Sequence, residues 1–230
     1  PQNSYITTGD AQIPIYGPTH RLDIGGKIGN FWGYKVIDID DEGKWIYEDP
    51  ETGAAVPYDD FAKVDENKMI IGNGLPKYYL GWNNSIRYKN FDFAVSMRGA
   101  FGYEILNFAR MYYENTKTHQ QYNRLKSAYD PVFGKAVLNN DLDLEYNSYY
   151  IEKGDHWKID NITLGYTFNT EKIKYISRAR IYASTLNTFV ITKYKGIDPE
   201  VNASGLDPGN DSRDKYPTVR TFTFGINLSF

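Results

Sequence analysis

Pro217–Phe230 is the segment that most constrains the fold of this chain, because its large apolar side chains occupy alternate positions. Positions 222, 224, 226, 228 and 230 are Phe, Phe, Ile, Leu and Phe, whereas positions 221, 223, 225, 227 and 229 are Thr, Thr, Gly, Asn and Ser. A β-strand directs successive side chains to opposite faces. The segment is therefore predicted to be a strand with one apolar face. That face lies either in the core of a soluble sandwich or against the lipid around a membrane barrel.

Similar alternation recurs along the chain, and the connections between the predicted strands alternate in length. Six strands are predicted, at Phe31–Ile37, Tyr79–Tyr88, Phe91–Phe101, His156–Phe168, Arg178–Thr192 and Pro217–Phe230. Only Lys89–Asn90 and residues 169–177 separate the second strand from the third and the fourth from the fifth. The other connections, including residues 38–75, are long and polar. Tight turns at one end and long loops at the other are typical of outer-membrane barrels.

Composition narrows the class of protein further. Aromatic residues make up 16% of the chain, with 21 Tyr, 12 Phe and 4 Trp. Tyr and Trp suit the boundary between lipid and water, although aromatic residues also favour strands in general. The chain has no cysteine and a formal net charge of −3, which excludes disulfides and argues against a nucleic-acid-binding surface. No apolar run approaches the roughly 18 residues that a membrane-spanning helix requires.

Six strands are too few to close a membrane barrel by themselves. Bacterial barrels begin at about eight strands, and an open sheet edge in lipid would leave backbone groups unsatisfied at a cost of several kcal/mol each. We therefore expect an all-β fold in which residues 1–230 form an antiparallel transmembrane segment with long extracellular loops. This segment, of about six strands, would be the C-terminal part of a larger barrel.

Several stretches of the sequence resemble one family of transporters in order and spacing. Those near the end are Asp155–Phe168, Asn187–Val201 and Tyr216–Phe230, and Phe31–Val36 and Tyr88–Phe93 come before them. Together they resemble the C-terminal region of the SusC/RagA-type TonB-dependent transporters of the Bacteroidetes outer membrane.

The resemblance implies a barrel of 22 strands in the outer membrane, with a plug domain that lies upstream and is absent from this chain. It also implies a SusD-like surface lipoprotein as a lid and energy supplied by TonB through the missing N-terminal part. The cargo would be oligosaccharides or peptides. Phe230 would be the terminal residue read by the barrel-insertion machinery.

An acidic stretch in the first long loop has the spacing of a calcium-binding loop. Asp38, Asp40, Glu42 and Asp49 occupy relative positions 1, 3, 5 and 12, and Gly43 occupies position 6. Oxygen ligands at such positions converge on calcium around a glycine turn. Position 5 is Glu, position 12 is not Glu and no flanking helices are predicted, so an ordinary solvated acidic loop explains the stretch as well. No other cofactor is indicated.

Ligand and partner contacts are predicted in the long connection after the third strand and on the polar strand faces. The connection begins with a short amphipathic helix predicted over Tyr103–Tyr113. Its aromatic rings either stack on sugars, contact a lid protein or pack on one another. Arg98 and Asp92 are expected to face the barrel lumen and meet a polar solute. The tyrosines concerned are Tyr112, Tyr113, Tyr122 and Tyr129.

The sequence contains none of the common catalytic or nucleotide-binding motifs. There is no GxSxG motif, no P-loop and no paired histidine spacing, so an enzyme is not expected. The first hypothesis is a nutrient importer of the SusC type. The alternatives are a secreted β-sandwich that binds carbohydrate without a membrane role, and a siderophore or vitamin receptor without a lid.

Overall fold

A computed structural model describes residues 5–8, 18–117, 123–213 and 215–230. Within these residues no helix has the length and apolar character needed to cross a membrane. The strands are β1 (Tyr5–Thr8), β2 (His20–Asp23), β3 (Asn30–Gly33), β4 (Val36–Ile39), β5 (Trp45–Glu48), β6 (Ala55–Pro57), β7 (Met69–Asn73), β8 (Tyr78–Tyr88), β9 (Phe91–Phe101), β10 (Glu104–Asn107), β11 (Ile151–Lys153), β12 (His156–Phe168), β13 (Arg178–Thr192), β14 (Asn210–Asp211) and β15 (Thr221–Ser229), and the helix is α1 (Phe108–Glu114).

The chain divides into two compact units. The sheet unit consists of residues 77–101, 155–193 and 216–230, and the loop unit consists of residues 1–76, 102–154 and 194–215. The chain therefore leaves the sheet unit and returns to it at each long connection, whereas the short turns stay within it.

The sheet unit is a five-stranded antiparallel sheet with the order β15-β13-β12-β9-β8. Five of the six predicted strands are confirmed, and β9, β12 and β13 have the predicted bounds. The predicted two-residue turn is also confirmed, since Tyr88 pairs with Phe91. Lys89 in this turn has a φ of 53°. Such a left-handed residue is usual in tight hairpins, whose twist must match that of the strands.

A bulge in β12 explains the irregular alternation of its first half. The register with both neighbouring strands shifts between Ile159 and Asn161. Because a bulge inserts one extra residue, the side chains before and after it change parity along the sequence. Trp157 and Ile159 therefore lie on the same face as Ile162 and the alternate residues that follow it.

The prediction of a sixth barrel strand at Phe31–Ile37 is wrong. This stretch divides between β3 and β4, which belong to different small sheets of the loop unit. Phe31, Tyr34 and Val36 are buried there in an aromatic core. The apolar side chains of this stretch pack in the core of the loop unit. Their alternation therefore results from burial in that core and not from contact with lipid.

The loop unit is built from three small sheets around one apolar core. Their strand orders are β1-β2-β3-β7, β11-β10-β14 and β4-β5-β6. The predicted polar loop over residues 38–75 thus contains several short strands. The predicted helix over Tyr103–Tyr113 is half correct, because its first part is β10 and only Phe108–Glu114 is helical. The core residues are Phe31, Tyr34, Val36, Ile39, Trp45, Tyr47, Phe61, Leu106, Phe108, Met111, Val132, Leu138, Leu142, Tyr146 and Tyr150.

Candidate functional site

One face of the sheet unit is apolar and open. Phe224 is 82% exposed and Ile226 is 70% exposed, although both lie in regular strand pairings with β13. Folding normally removes such side chains from water, and a contiguous apolar surface of this kind marks contact with another apolar medium or molecule. The exposed apolar side chains of this face are Tyr78, Leu80, Trp82, Ile86, Tyr88, Phe91, Phe93, Leu164, Phe168, Ile181, Phe189, Ile191, Phe222, Phe224, Ile226 and Leu228.

The opposite face of the same sheet is mainly polar. It follows from the register that alternate residues of all five strands line up on it. Apolar-out and polar-in alternation is the pattern of strands that separate lipid from a wet lumen. The polar and charged residues on this face include Asn83, Ser85, Arg87, Asp92, Ser96, Arg98, Thr163, Arg180, Ser184, Thr223 and Asn227.

Asp92 and Arg180 form an ion pair that crosses a whole strand on the polar face. Arg180 Nε donates to Asp92 Oδ1 at 2.8 Å, and Arg180 Nη2 donates to Asp92 Oδ2 at 2.5 Å. Asp92 is on β9 and Arg180 is on β13, so the pair passes over β12. It passes at Gly165, which is the direct partner of Asp92. A Cβ at position 165 would lie 2.6 Å from both Arg180 Nε and Asp92 Oδ1, so any other residue there would force these two side chains out of their present geometry.

We expect this bidentate pair to be energetically coupled in the assembled protein. Double-mutant cycles of Asp92→Ala and Arg180→Ala, measured by unfolding the full-length protein in detergent, are expected to give about 1 kcal/mol of coupling, because two parallel hydrogen bonds fix the geometry. Arg98 and Asp160 are the matched control, since they are on the same face but 3.4 Å apart with Arg98 more exposed. Their coupling is expected to be near zero. Equal coupling in both pairs would contradict the role of the bidentate geometry.

The tyrosines predicted to contact a ligand or partner do not form one site in the described residues. Tyr112 and Tyr113 lie in α1, with their rings edge to face at 5.1 Å. The guanidinium of Arg213 covers the Tyr112 ring at 3.9 Å. Tyr129 is 67% exposed elsewhere in the loop unit, and Tyr122 lies outside the described residues. Part of the aromatic set is therefore engaged within the protein, and ligand contact by these side chains stays a prediction.

The four carboxylates predicted to bind calcium are spread over β4 and two turns. Asp40 Oδ1 accepts backbone hydrogen bonds at 3.0 and 2.8 Å in the turn between β4 and β5. Asp49 Oδ1 does the same at 3.0 and 2.8 Å in the turn after β5. Asp38 pairs with Lys135 at 2.5 Å, and Glu42 is largely exposed. Among the described residues, no three acidic or histidine side chains form a group that could hold a metal ion. Calcium binding stays a prediction, and a single ion bound by all four would require β5 to unfold.

A buried ionic network in the loop unit was not predicted from the sequence. Arg110 Nε donates to Glu114 Oε1 at 2.7 Å, and Arg110 Nη1 donates to Glu152 Oε1 at 2.5 Å. Burial alone would lower the pKa of Arg110, but the hydrogen bonds to Glu114 and Glu152 and the negative charge of Glu114 outweigh it and raise the pKa. Arg110 and Glu114 are four residues apart, which places them on one helix face. Glu152 comes from β11, and only the fold brings it near. This network fixes α1 against β11.

Asp211 is a second buried acidic group in the loop unit. Its Oδ2 accepts a hydrogen bond from the Tyr194 hydroxyl at 2.5 Å. Its Oδ1 is buried without a hydrogen-bond partner among the described residues. Burial raises the pKa of Asp211; Asp198 and Glu152 act in the same direction, while the Tyr194 hydrogen bond and Lys215 oppose it.

The raised pKa of Asp211 predicts a pH-dependent stability of its surroundings. The folded state favours the protonated carboxyl, so its contribution is complete below about pH 4 and is lost as the pH rises through the raised pKa. Hydrogen exchange of the Gly209 amide, which donates to Asn202 O at 2.7 Å, reports on this segment. After correction for intrinsic exchange, its protection is expected to fall with rising pH in the native protein and to vary less in Asp211→Asn. The same slope in both proteins would exclude Asp211 as the cause.

The chain was compared with known proteins. No protein-family model matches it. It is 29% identical over 246 residues to TonB-dependent receptor P3 of Formosa agariphila, covering 92% of this chain and 23% of that protein. It is 33% identical over 196 residues to TonB-dependent receptor SusC of Bacteroides thetaiotaomicron, covering 75% of this chain and 18% of that protein. The chain thus spans about a fifth of the length of these curated relatives.

Solved structures show the same fold. The structure of the RagAB peptide importer in its closed-closed state matches with a TM-score of 0.79 and 21% identity, covering 99% of this chain and 25% of that chain. The open-open state of the same importer matches with a TM-score of 0.78. The match extends over both the sheet unit and the loop unit. By its relatives and its fold, the chain belongs to the SusC-type TonB-dependent receptors, of which it represents a part.

Proposed function

We propose that the protein to which this chain belongs imports oligosaccharides or peptides across the outer membrane in a TonB-dependent manner. The observation that carries this proposal is the division of the sheet unit into an open apolar face and a polar face. A sheet with these two faces fits the wall of a barrel, with lipid outside and an aqueous path inside. No catalytic step is part of the proposal.

The sheet unit supports this role as a piece of a larger structure. Strands β8 and β15 are at its two edges, and each carries a row of backbone groups that must be paired in lipid. In a complete barrel, further strands from the rest of the protein would pair with both edges. The residue range 1–230 is accordingly proposed to be the C-terminal part of the barrel, with the plug domain elsewhere in the protein.

The partners and the cargo are proposed from the relatives. A SusD-like surface lipoprotein would cover the external mouth, and TonB would supply energy through a part of the protein outside this chain. The solved relative is a peptide importer, which supports peptides as one cargo class. The polar face of the sheet unit, with Arg98 and the Asp92–Arg180 pair, would line the path of the solute.

The secreted β-sandwich is disfavoured by the same surface. In a sandwich the apolar face of one sheet is covered by a second sheet, with the two inner faces forming a core about 10 Å thick. In the described residues of the sheet unit, the face that carries Phe224 has no such cover.

Purification and uptake of the full-length protein test the proposal. The protein is expected to require detergent or lipid to remain monodisperse, to co-purify with a lipoprotein and to support uptake of labelled oligosaccharides or peptides that stops when the proton gradient is dissipated. A matched culture that expresses the protein without its upstream TonB-contacting segment is the control. A protein that is monodisperse in plain buffer would refute the membrane role. Activity without a lipoprotein would favour the receptor that lacks a lid.

A further inference from the structure

The open apolar face of the sheet unit contains a groove of about 590 Å³. Its lining includes Phe91, Leu164, Ile181, Ala183, Phe224 and Ile226. This volume is within the roughly 300–1,000 Å³ of clefts that hold small ligands. Contact with fluid lipid requires only a smooth barrel wall, so the presence of a groove needs a separate physical explanation.

The groove lies over β13, where Ala183 places a small side chain between two bulky neighbours. Ala183 pairs with Leu164 of β12 on one side and with Phe224 of β15 on the other. Two residues towards the middle of the strand, Thr185 lies opposite Phe222. The large side chains of β12 and β15 therefore form two ridges, and β13 forms the floor between them.

The turn that joins β12 to β13 is positively charged. Residues 169–177 carry Lys172 and Lys174 against the single acidic residue Glu171. The neighbouring turn between β8 and β9 adds Lys89. All three lysines belong to the short-turn end of the sheet unit. This is also the end near which Phe91 and Ile181 enter the groove lining.

The same turn displays an aromatic ring from a backbone conformation that is unusual for its residue type. Tyr175 has a φ of 79° and is 77% exposed, and Lys174 Nζ lies 5.2 Å from the centre of its ring. Bulky residues in this region are strained, and the turn holds the strain by hydrogen bonds from Ile173 N to Thr170 O and from Thr170 Oγ1 to Ser177 O. A ring placed beside a lysine in this way suits the headgroup level of a membrane.

We propose that this groove and turn bind one anionic phospholipid, with an acyl chain along β13 and the headgroup phosphate at Lys172 and Lys174. The inference rests on the proposed membrane role of the sheet unit. Short turns of outer-membrane barrels face the periplasm, so the lipid belongs to the leaflet on that side. The lysines of the turn favour a negatively charged headgroup, and the groove favours an acyl chain that lies against the outer surface of the sheet unit.

Lipid retention by the full-length protein tests the site. The delipidated protein in detergent is titrated with phosphatidylglycerol, phosphatidylcholine or lipid A, and bound lipid is counted by native mass spectrometry. The native protein is expected to prefer phosphatidylglycerol. Lys172→Ala/Lys174→Ala is expected to weaken phosphatidylglycerol binding about 25-fold and to leave phosphatidylcholine binding nearly unchanged, since each lysine near an anionic headgroup contributes roughly a factor of five. Lys193→Ala, at the other end of β13, is the control and is expected to change neither.

A second variant tests the groove independently of charge. Ala183→Phe fills the floor and is expected to weaken the binding of both lipids several-fold, whereas Ile181→Leu, which keeps the side-chain volume, is expected to change neither. An unchanged preference for phosphatidylglycerol in the double lysine variant, or stronger retention of lipid A, would overturn the proposal. A protein that needs detergent but has no lipid preference would refute only this site. A protein that needs no detergent would refute the membrane role itself.

Discussion

Replacing Leu164 by arginine is expected to destabilise the sheet unit by about 2–4 kcal/mol when the full-length protein is in a lipid bilayer. Leu164 is near the middle of β12, on the open apolar face, and is 51% exposed. A guanidinium there would have to lose its hydration to contact hydrocarbon, and among the described residues of the sheet unit no carboxylate lies on this face to pair with it. The measurement is reversible unfolding by denaturant in vesicles, or assembly yield where unfolding is not reversible.

The neighbouring residue provides the matched control for this prediction. Thr163 is on the polar face of the same strand, where its hydroxyl contacts Asn161 Oδ1 at 3.0 Å. Thr163→Arg introduces the same charge one residue away and is expected to cost under about 1 kcal/mol, because the side chain stays in contact with water. If the two variants lose equal stability, the open face is not in contact with lipid.

Replacing Gly43 by alanine is expected to destabilise the turn between β4 and β5 by about 2–5 kcal/mol. Gly43 has a φ of 82°, which L-residues adopt only with strain. Its Cβ would also overlap Val137 O and lie 2.8 Å from Asn139 N, so the backbone of the loop unit would have to move. Hydrogen exchange at the Asn139 amide, which donates to Gly43 O at 2.9 Å, measures the local cost.

Gly53 is the control for this prediction, because a substitution there causes backbone strain without steric overlap. It has a φ of 70°, but no atom lies within 4 Å of the Cβ that alanine would add. Gly53→Ala is therefore expected to cost only the backbone strain, about 1–2 kcal/mol. Its local cost is read at the residue-53 amide, which donates to Asp49 O at 2.8 Å. An equal loss of protection in the two variants, each at its own amide, would mean that the overlap at position 43 is relieved without cost, contrary to this prediction.

The strands of the sheet unit were predictable because lipid imposes a simple rule on sequence. Each of β8, β9, β12 and β15 must alternate large apolar with small or polar residues over most of its length, and the alternation is visible without any knowledge of the fold. β13 is less regular for two physical reasons. Ala183 and Thr185 on its apolar face are small, and β13 has an irregularity of its own where residues 187 and 188 lie between the partners of Asn161 and Ile159, with Asn187 at a φ of 50°. The connection lengths then indicated which strands are neighbours.

The loop unit could not be predicted to the same degree, because its contacts join residues far apart in the chain. Phe31–Ile37 alternates like a barrel strand, yet Tyr34 packs on Phe61 at 5.5 Å in a core that the sequence does not show. The spacing of Asp38, Asp40, Glu42 and Asp49 is correct for a calcium loop only if the backbone coils around the ion. Here the intervening residues form a hairpin strand instead. Pairs such as Tyr194 and Asp211 have no pattern that a sequence could reveal.

The Asp92–Arg180 bridge has a consequence for how the wall is put together. It joins the first and third of three adjacent strands and passes over the second at a residue without a side chain, where a Cβ would displace both charged groups. A shift of β12 by two residues would keep its apolar side chains on the apolar face, so contact with lipid would not disfavour the shifted register. It would, however, place Thr163 or Thr167 beneath the guanidinium and break the bridge. Gly165 thus lets the ion pair favour the native register of the three strands over a register in which β12 is shifted by two residues. This selection acts only after all three strands have paired.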